Sequence, residues 1–335
     1  MIRKFISNLS LLVLLNLVVK PVWIFGIDRE VQNLVGNEIY GGYFALFNIS
    51  ILLNMILDFG ITNFNNRNIA QHRQLLTKHF SGIISAKVVL GFVYLLATLL
   101  FATVLDYDHT AIYMLIFLAA NQFLASFTLY LRSNLSALHH FRLDSIVSVT
   151  DRFIMIVLCA VLLFSPLRKN FEILWFVYAQ TLSYFLTFIL VFVLVLNKAV
   201  QFRIQFNIAF LMMVIKRSLP YATLVLFMTL YYRLDSIMLD RMLPDGAAET
   251  GIYAQAFRIF DAANMLGFLF SSLLLPMFAY LLKKKEDVFG LFKTAIKLIF
   301  LPTILIACLS SFYAFDVISA LYIGNIIKAS QVFSV

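Results

Sequence analysis

Residues 173–196 read Ile173-Leu174-Trp175-Phe176-Val177-Tyr178-Ala179-Gln180-Thr181-Leu182-Ser183-Tyr184-Phe185-Leu186-Thr187-Phe188-Ile189-Leu190-Val191-Phe192-Val193-Leu194-Val195-Leu196, with no charged side chain among them. A helix needs roughly 20 mostly apolar residues to cross the hydrocarbon core of a bilayer, and this stretch is long enough. A membrane barrel strand would alternate apolar and polar residues at every second position. The run from Ile189 to Leu196 is apolar at every position. The reading is therefore a spanning α-helix.

Working outward, similar stretches lie at 7–26, 40–62, 82–105, 111–131, 145–165, 213–239, 254–282 and 290–312, and a tenth begins near 314 and fades after Gly324. Apolar residues make up 62% of the chain and charged ones 13%. Soluble domains carry about 45–50% and about 25%, so this chain is built for lipid. Long Gly- or Pro-rich linkers are absent. The expectation is an all-α integral membrane protein with little soluble mass for a catalytic domain. Arg3 and Lys4 before the first apolar run resemble a signal peptide, but no small-x-small cleavage site follows. The first helix is read as retained. Cys159 and Cys308 are isolated within spans, and no two histidines sit four apart on a helix. That pattern offers neither a disulfide framework nor a metal site.

The net charge of +9 is distributed by side, not clustered on one face. With alternating spans, sixteen Lys and Arg near span ends fall on the side of the N-terminus. Four (Arg29, Arg168, Lys169 and Arg241) fall on the other. The positive-inside rule then puts the N-terminus in the cytoplasm. The basic loops serve as topology signals that meet anionic lipid headgroups, which removes the case for a nucleic-acid partner. Outer connections are expected at 27–39, 106–110, 166–172 and 240–253, all short. A membrane glycan polymerase would need a larger outer loop for its chemistry. A G-x-x-x-x-G-K-[ST] phosphate loop is also missing, so no ATPase is built in. We read the chain as a non-enzyme.

A repeat is visible. Glu38-Ile39-Tyr40-Gly41-Gly42-Tyr43 is echoed by Glu249-Thr250-Gly251-Ile252-Tyr253-Ala254, with Gly41 on Gly251 and Tyr43 on Tyr253 at an offset of 210 residues. Lys87 meets Lys297 at the same offset. Span seven thus restarts the pattern of span one. Two parallel six-helix halves with a site between them are a recurring transporter design. The expected organisation is an N-terminal six-helix lobe over 1–200 and a partial C-terminal lobe of about four helices over 201–335. On that reading a longer parent chain is expected. Arg142-Leu143-Asp144-Ser145-Ile146 also recurs as Arg233-Leu234-Asp235-Ser236-Ile237, at a spacing that fits no six-helix repeat.

Asn37-Glu38-Ile39-Tyr40-Gly41-Gly42-Tyr43, Leu57-Asp58-Phe59-Gly60-Ile61 and Asn68-Ile69-Ala70 resemble the opening of bacterial polysaccharide flippases, the Wzx-type transporters of the MOP superfamily. Ser218-Leu219-Pro220, the stretch from Tyr232 to Leu239, and Gly251-Ile252-Tyr253-Ala254-Gln255-Ala256-Phe257-Arg258 look like that family's seventh and eighth helices. The resemblance covers most of the chain. It implies a MATE-like fold of two six-helix lobes in the bacterial cytoplasmic (inner) membrane. It also implies a substrate, an undecaprenyl-pyrophosphate-linked oligosaccharide repeat unit carried to the periplasmic leaflet for O-antigen, lipopolysaccharide, capsule or exopolysaccharide synthesis. A glycan polymerase and other polysaccharide-export proteins would be its partners. The family has 12 to 14 helices, and this sequence departs from it by ending earlier.

A charge at mid-membrane costs roughly 2.5–3.5 kcal/mol on insertion scales, so each such residue is a functional candidate. For an anionic headgroup these are Lys20, Arg152, Arg233 and Arg258. Lys20 adjoins Pro21, which removes a helix hydrogen bond and invites a bend. Pro21 and Pro220 are the expected hinges. Arg233 suits pyrophosphate because its planar fork binds phosphate oxygens in pairs. Asp58, Asp235 and Asp261 are candidates to bind a coupling proton or sodium ion, and no other cofactor is expected. Competing structural readings are a local pair between Arg258 and Asp261, a turn cap at Asp58, and a Lys87 that snorkels to the interface. Asp151 and Arg152 are read as pointing apart. The alternative function is an ion-coupled small-molecule exporter of the MATE type, and a polymerase ranks below it. Those exporters usually carry an acid in the first helix, where this sequence offers only Lys20.

Overall fold

The polar residues of 173–196 explain how the helices pack. In α7 (Ile173–Leu196) the buried positions include Gln180, Ser183, Tyr184, Thr187, Val191 and Val195, spaced three or four apart as one helix face requires. Leu182, Phe185, Leu186, Ile189, Leu190 and Val193 are exposed. Polar groups inside and apolar ones outside reverse the soluble pattern, as expected of a helix whose outer face meets lipid.

The computed structural model describes residues 11, 14–62, 65, 69, 74–138, 140–197, 208–264 and 287–334. The first helix, α1, is followed from residue 14 to Val35. Gly36, at φ +82°, turns the chain into α2 (Asn37–Leu52). A short α3 (Met55–Asp58) ends at Phe59 and Gly60, both with positive φ. Then come α4 (Leu75–Val104), α5 (His109–Ala137), α6 (Phe141–Phe164) and α7. Asp108 caps α5 by accepting from the Ala111 N–H at 3.0 Å. This is the oxygen acceptor that a helix start favours. Next are α8 (Ile208–Met242), α9 over 246–264, α10 (Phe289–Phe312), α11 (Ala314–Leu321) and α12 (Ile326–Ser334).

Five of these stretches are long and apolar enough to span a membrane among the described residues: Asn37–Asp58, Phe80–Val104, His109–Ala137, Arg142–Phe164 and Ile173–Leu196. They match the expected spans within a few residues. Three expectations are corrected. The outer connection at 27–39 is mostly helix, because α1 continues to Val35. The connection at 240–253 shrinks to 243–245 between α8 and α9. The tenth stretch is the short helix α11, which turns 83° from the end of α10 and pairs with it as one bent unit. Residues 265–282, nearly two thirds of the expected 254–282 span, lie outside the described residues.

The residues aligned at offset 210 meet each other. A Cβ on Gly41 would collide with the Ala247 carbonyl, and one on Gly251 with the Asn37 carbonyl. Positions 37 and 247 are themselves 210 apart, so the two contacts are reciprocal, as across a two-fold axis. Glycine is needed at both because the backbones touch. Gln32 Nε2 donates to the Gly251 carbonyl at 2.8 Å, and Gln255 Nε2 to Asn37 Oδ1 at 2.9 Å. Lys87 and Lys297 break the correspondence, since Lys87 is buried and Lys297 exposed.

Candidate functional site: a cation cluster between α1, α2, α6, α8 and α9

Pro21 marks a change of helix type. From Val22 to Asp28 the chain is π-helical, and it returns to α-helix at Arg29. Such π turns inside helices are frequent at functional sites. Trp23, Ile27 and Val31 stay buried at four-residue spacing through it. Asp28 is thereby turned inward, where it is 2% exposed.

Asp28 faces Arg258 of α9. Arg258 Nε lies 2.8 Å from Asp28 Oδ2 and donates to the Tyr40 hydroxyl at 3.1 Å. Tyr40 Oη in turn donates to Asp28 Oδ2 at 2.8 Å. The guanidinium also sits over Phe44 at 5.0 Å and Phe47 at 5.6 Å. Every charge in this trio has a partner, as burial demands. The expected local pair of Arg258 with Asp261 is therefore corrected: Arg258 pairs 230 residues away. So is the statement that Lys20 is the first helix's only charge. Asp28 belongs to that helix. The unbroken four-residue spacing of Trp23, Ile27 and Val31 was the signal available for it.

The other three cations surround this trio and are held more loosely. Arg233 of α8 donates to Asn48 Oδ1 at 3.2 Å, lies 3.9 Å from Asp261 Oδ2, and stands over the Phe257 ring at 5.3 Å. Arg152 of α6 lies 3.8 Å from Asp151 Oδ2, between the Trp23 ring at 5.5 Å and the Tyr184 ring at 5.7 Å. The adjacent Asp151 and Arg152 thus do approach each other, contrary to expectation. Lys20 is within electrostatic reach of Arg152, Asp151 and Asp261. All four expected cations are in one region, with Asp28, Asp151 and Asp261 against them. Asp58 lines the cavity that Asp151 and Tyr184 also line, and Asp235 borders the cluster through Tyr253, which is within electrostatic reach of Asp235, Arg233 and Asp261. Asp235 is exposed, with the Tyr253 hydroxyl at 3.4 Å. Asp58 accepts from the Thr62 N–H at 3.2 Å and its hydroxyl at 2.5 Å, which caps the turn. It also pairs with Lys87 at 2.7 Å. Lys87 is 1% exposed, so the snorkelling reading is overturned. Pro220 falls within the continuous helix α8.

Among the described residues, several contacts between the N-terminal helices and the later ones lie at one end. Tyr107 Oη donates to Asp240 Oδ2 at 2.6 Å, and Arg241 lies over the Tyr107 ring and donates to the Leu105 carbonyl. Asn33 Nδ2 donates to the Leu321 carbonyl at 3.0 Å, and the Ile323 N–H to Asn33 Oδ1 at 3.1 Å. This end carries the connections around 105 and 243. Away from it, a cavity of about 410 Å³ is lined by Asp58, Ser126, Arg132, Asp151, Tyr184 and Thr229 among others.

Comparison with known proteins decides the family. A family model described as "Polysaccharide biosynthesis protein" matches residues 6–282. The chain belongs to that family. A structure of a MOP superfamily transporter from Pyrococcus furiosus, described as having a binding pocket of reversed polarity that suggests a different function, aligns at a TM-score of 0.55 and 16% identity. The alignment covers 98% of this chain and 76% of that one. An inward-facing multidrug resistance MATE family transporter of the same superfamily aligns at 0.50 and 16% identity, over 96% and 75%. At these identities the likeness shows the fold alone. No curated relative matches significantly. This polysaccharide biosynthesis family member is thus a multi-pass, all-α membrane protein with the MATE-like MOP fold.

Proposed function

We propose that the chain flips a lipid-linked oligosaccharide, an undecaprenyl-pyrophosphate-bound repeat unit, from the cytoplasmic to the periplasmic leaflet of the bacterial inner membrane. The observation that carries this reading is the cluster of Lys20, Arg152, Arg233 and Arg258. Four cations face three acids there. Arg152 and Arg233 have carboxylates only at 3.8 and 3.9 Å, beyond hydrogen-bond length. A pyrophosphate oxygen can take those donors as short, charge-assisted, paired bonds. Trp23, Tyr184 and Phe257 add aromatic faces beside the guanidinium groups.

The mechanism follows from the closed end. With the N-terminus in the cytoplasm, the contacts from Tyr107–Asp240 to Asp28–Arg258 close the outside. The headgroup enters from the cytoplasmic leaflet and meets Arg152, Arg233 and Lys20. Its charge competes with Asp261 and Asp151 for them, and the outer contacts open as the π-helical segment after Pro21 adjusts. Release to the periplasm hands the unit to a polymerase. A proton or sodium ion at Asp261 is the coupling we favour, because that acid already faces Arg233.

The test is deletion of the gene in its source bacterium with leaflet-selective labelling of the undecaprenyl-linked glycan. Accumulation facing the cytoplasm, with loss of surface polysaccharide, is the expected result. Single units that reach the periplasm unpolymerised would sink the flippase reading. A second reading, ion-coupled export of a small molecule as in MATE transporters, is favoured by one observation: Asp28 is an acid in the first helix. Normal glycan with raised drug sensitivity in the deletion strain would select it.

A further inference from the structure

Away from the cation cluster, Lys87 sits in a cage of oxygens. Its Nζ donates to Asp58 Oδ1 at 2.7 Å, Ser126 Oγ at 3.1 Å, the Leu57 carbonyl at 3.2 Å and the Ser126 carbonyl at 3.4 Å. The Tyr130 ring closes one side at 5.8 Å. An ammonium has three N–H donors, so four oxygens exceed the bonds it can direct. Four oxygens within 3.4 Å of one point suit a spherical cation, which has no preferred direction. Their chemistry agrees. A carboxylate, a hydroxyl and backbone carbonyls at a broken helix are hard ligands of the type that bind alkali ions. The break is visible: α3 ends at Asp58, and Phe59 and Gly60 adopt positive φ. Leu57 and Asp58 thus lie at a helix C-terminus, where carbonyls lack helical partners and the dipole favours a cation. Asp58 and Ser126 also line the cavity of about 410 Å³, which gives an ion a route to the cage.

We propose that Leu57, Asp58 and Ser126 form an alkali-cation site that this chain fills with its own Lys87 ammonium. The tethered charge joins the broken second span to α4 and α5 without any ion from solution. Removing the side chain opens the site to potassium or sodium. An ammonium group is close to potassium in size, so potassium is the first probe.

The test is thermal unfolding of the purified full chain in detergent, as wild type and as Lys87→Ala. Both are prepared in KCl, then measured in KCl, NaCl or choline chloride at equal ionic strength. The expected result is a Tm for Lys87→Ala that is roughly 3 °C or more higher in an alkali salt than in choline. The wild type and the Lys87→Ala/Asp58→Asn double variant should show no such difference. Potassium and sodium arms identify the ion. Equal Tm for Lys87→Ala in all three salts overturns the proposal, as does an equal alkali gain in the wild type. Failure to recover folded Lys87→Ala from KCl also counts against it, since a competent cage would have refilled during preparation.

Discussion

Arg258 and Arg233 lie on neighbouring helices and share surroundings, yet the fold treats them differently. Arg258 is pinned by a carboxylate at 2.8 Å and a phenol at 3.1 Å, with rings stacked around it. Arg233 has an amide at 3.2 Å and a carboxylate only at 3.9 Å. The first is a latch between α1 and α9, complete without a ligand. The second keeps donor capacity that an incoming anion can use. A charged residue in a membrane protein is thus not a ligand site by its presence alone, and partner distance separates the two kinds.

The largest effects should come from the glycine contact beside the latch. Gly41→Leu puts a side chain where the Ala247 carbonyl already stands, and backbone cannot yield as a flexible side chain can. We expect α2 and α9 to separate and the protein to be lost from membranes, read as abundance by immunoblot. Normal abundance would mean that the reciprocal contact is not what joins the two parts.

Asp28→Asn comes next. It leaves Arg258 buried without its counter-charge, and breaking a buried pair from one side costs about 3–5 kcal/mol. A Tm lowered by many degrees in detergent is expected. The double change Asp28→Asn/Arg258→Met should recover part of it, because no charge is then stranded. If Asp28→Asn leaves Tm unchanged, the latch is not structural, and Asp28 becomes available for the ion-coupled reading.

The loose cations should behave in the opposite way. Arg233→Ala, Arg152→Ala and Lys20→Ala remove contacts that are long or exposed to competition, so stability should change by about 1 kcal/mol or less. Surface glycan should nevertheless fall steeply at equal protein level. Unchanged glycan output with all three variants would remove the cluster from the substrate path.

The same contrast shows what the sequence could reveal. Spans were readable because lipid imposes a local rule on every residue, and 173–196 has the same bounds in both readings. Two glycines aligned in the sequence, Gly41 and Gly251, also lie in contact. Pairing was not readable. Asp28 and Arg258 are 230 residues apart, and Lys87 finds Asp58 only because the second span breaks at Phe59. Local hydropathy placed Asp28 in a loop and Lys87 at an interface because it carries no term for a distant counter-charge. Asp235 is the converse case: its position within a span made it a candidate, and the structure gives it an exposed side chain held only by the Tyr253 hydroxyl.

That makes Asp235 the sharpest small-effect test. It is exposed on α8, two residues from Arg233, and its partner is the Tyr253 hydroxyl at 3.4 Å, too long to hold it firmly. Two residues along a helix place a side chain on a different face, so Asp235 does not share the direct contacts of Arg233 with Asn48 and Asp261. Asp235→Asn keeps the shape and removes the charge. We expect Tm within about 0.5 kcal/mol equivalent of wild type, and glycan export unchanged, beside the steep loss in Arg233→Ala. Should export collapse in Asp235→Asn with protein level intact, the coupling ion would pass Asp235. Partner distance would then be a poor guide to which charges in this fold work and which only hold it together.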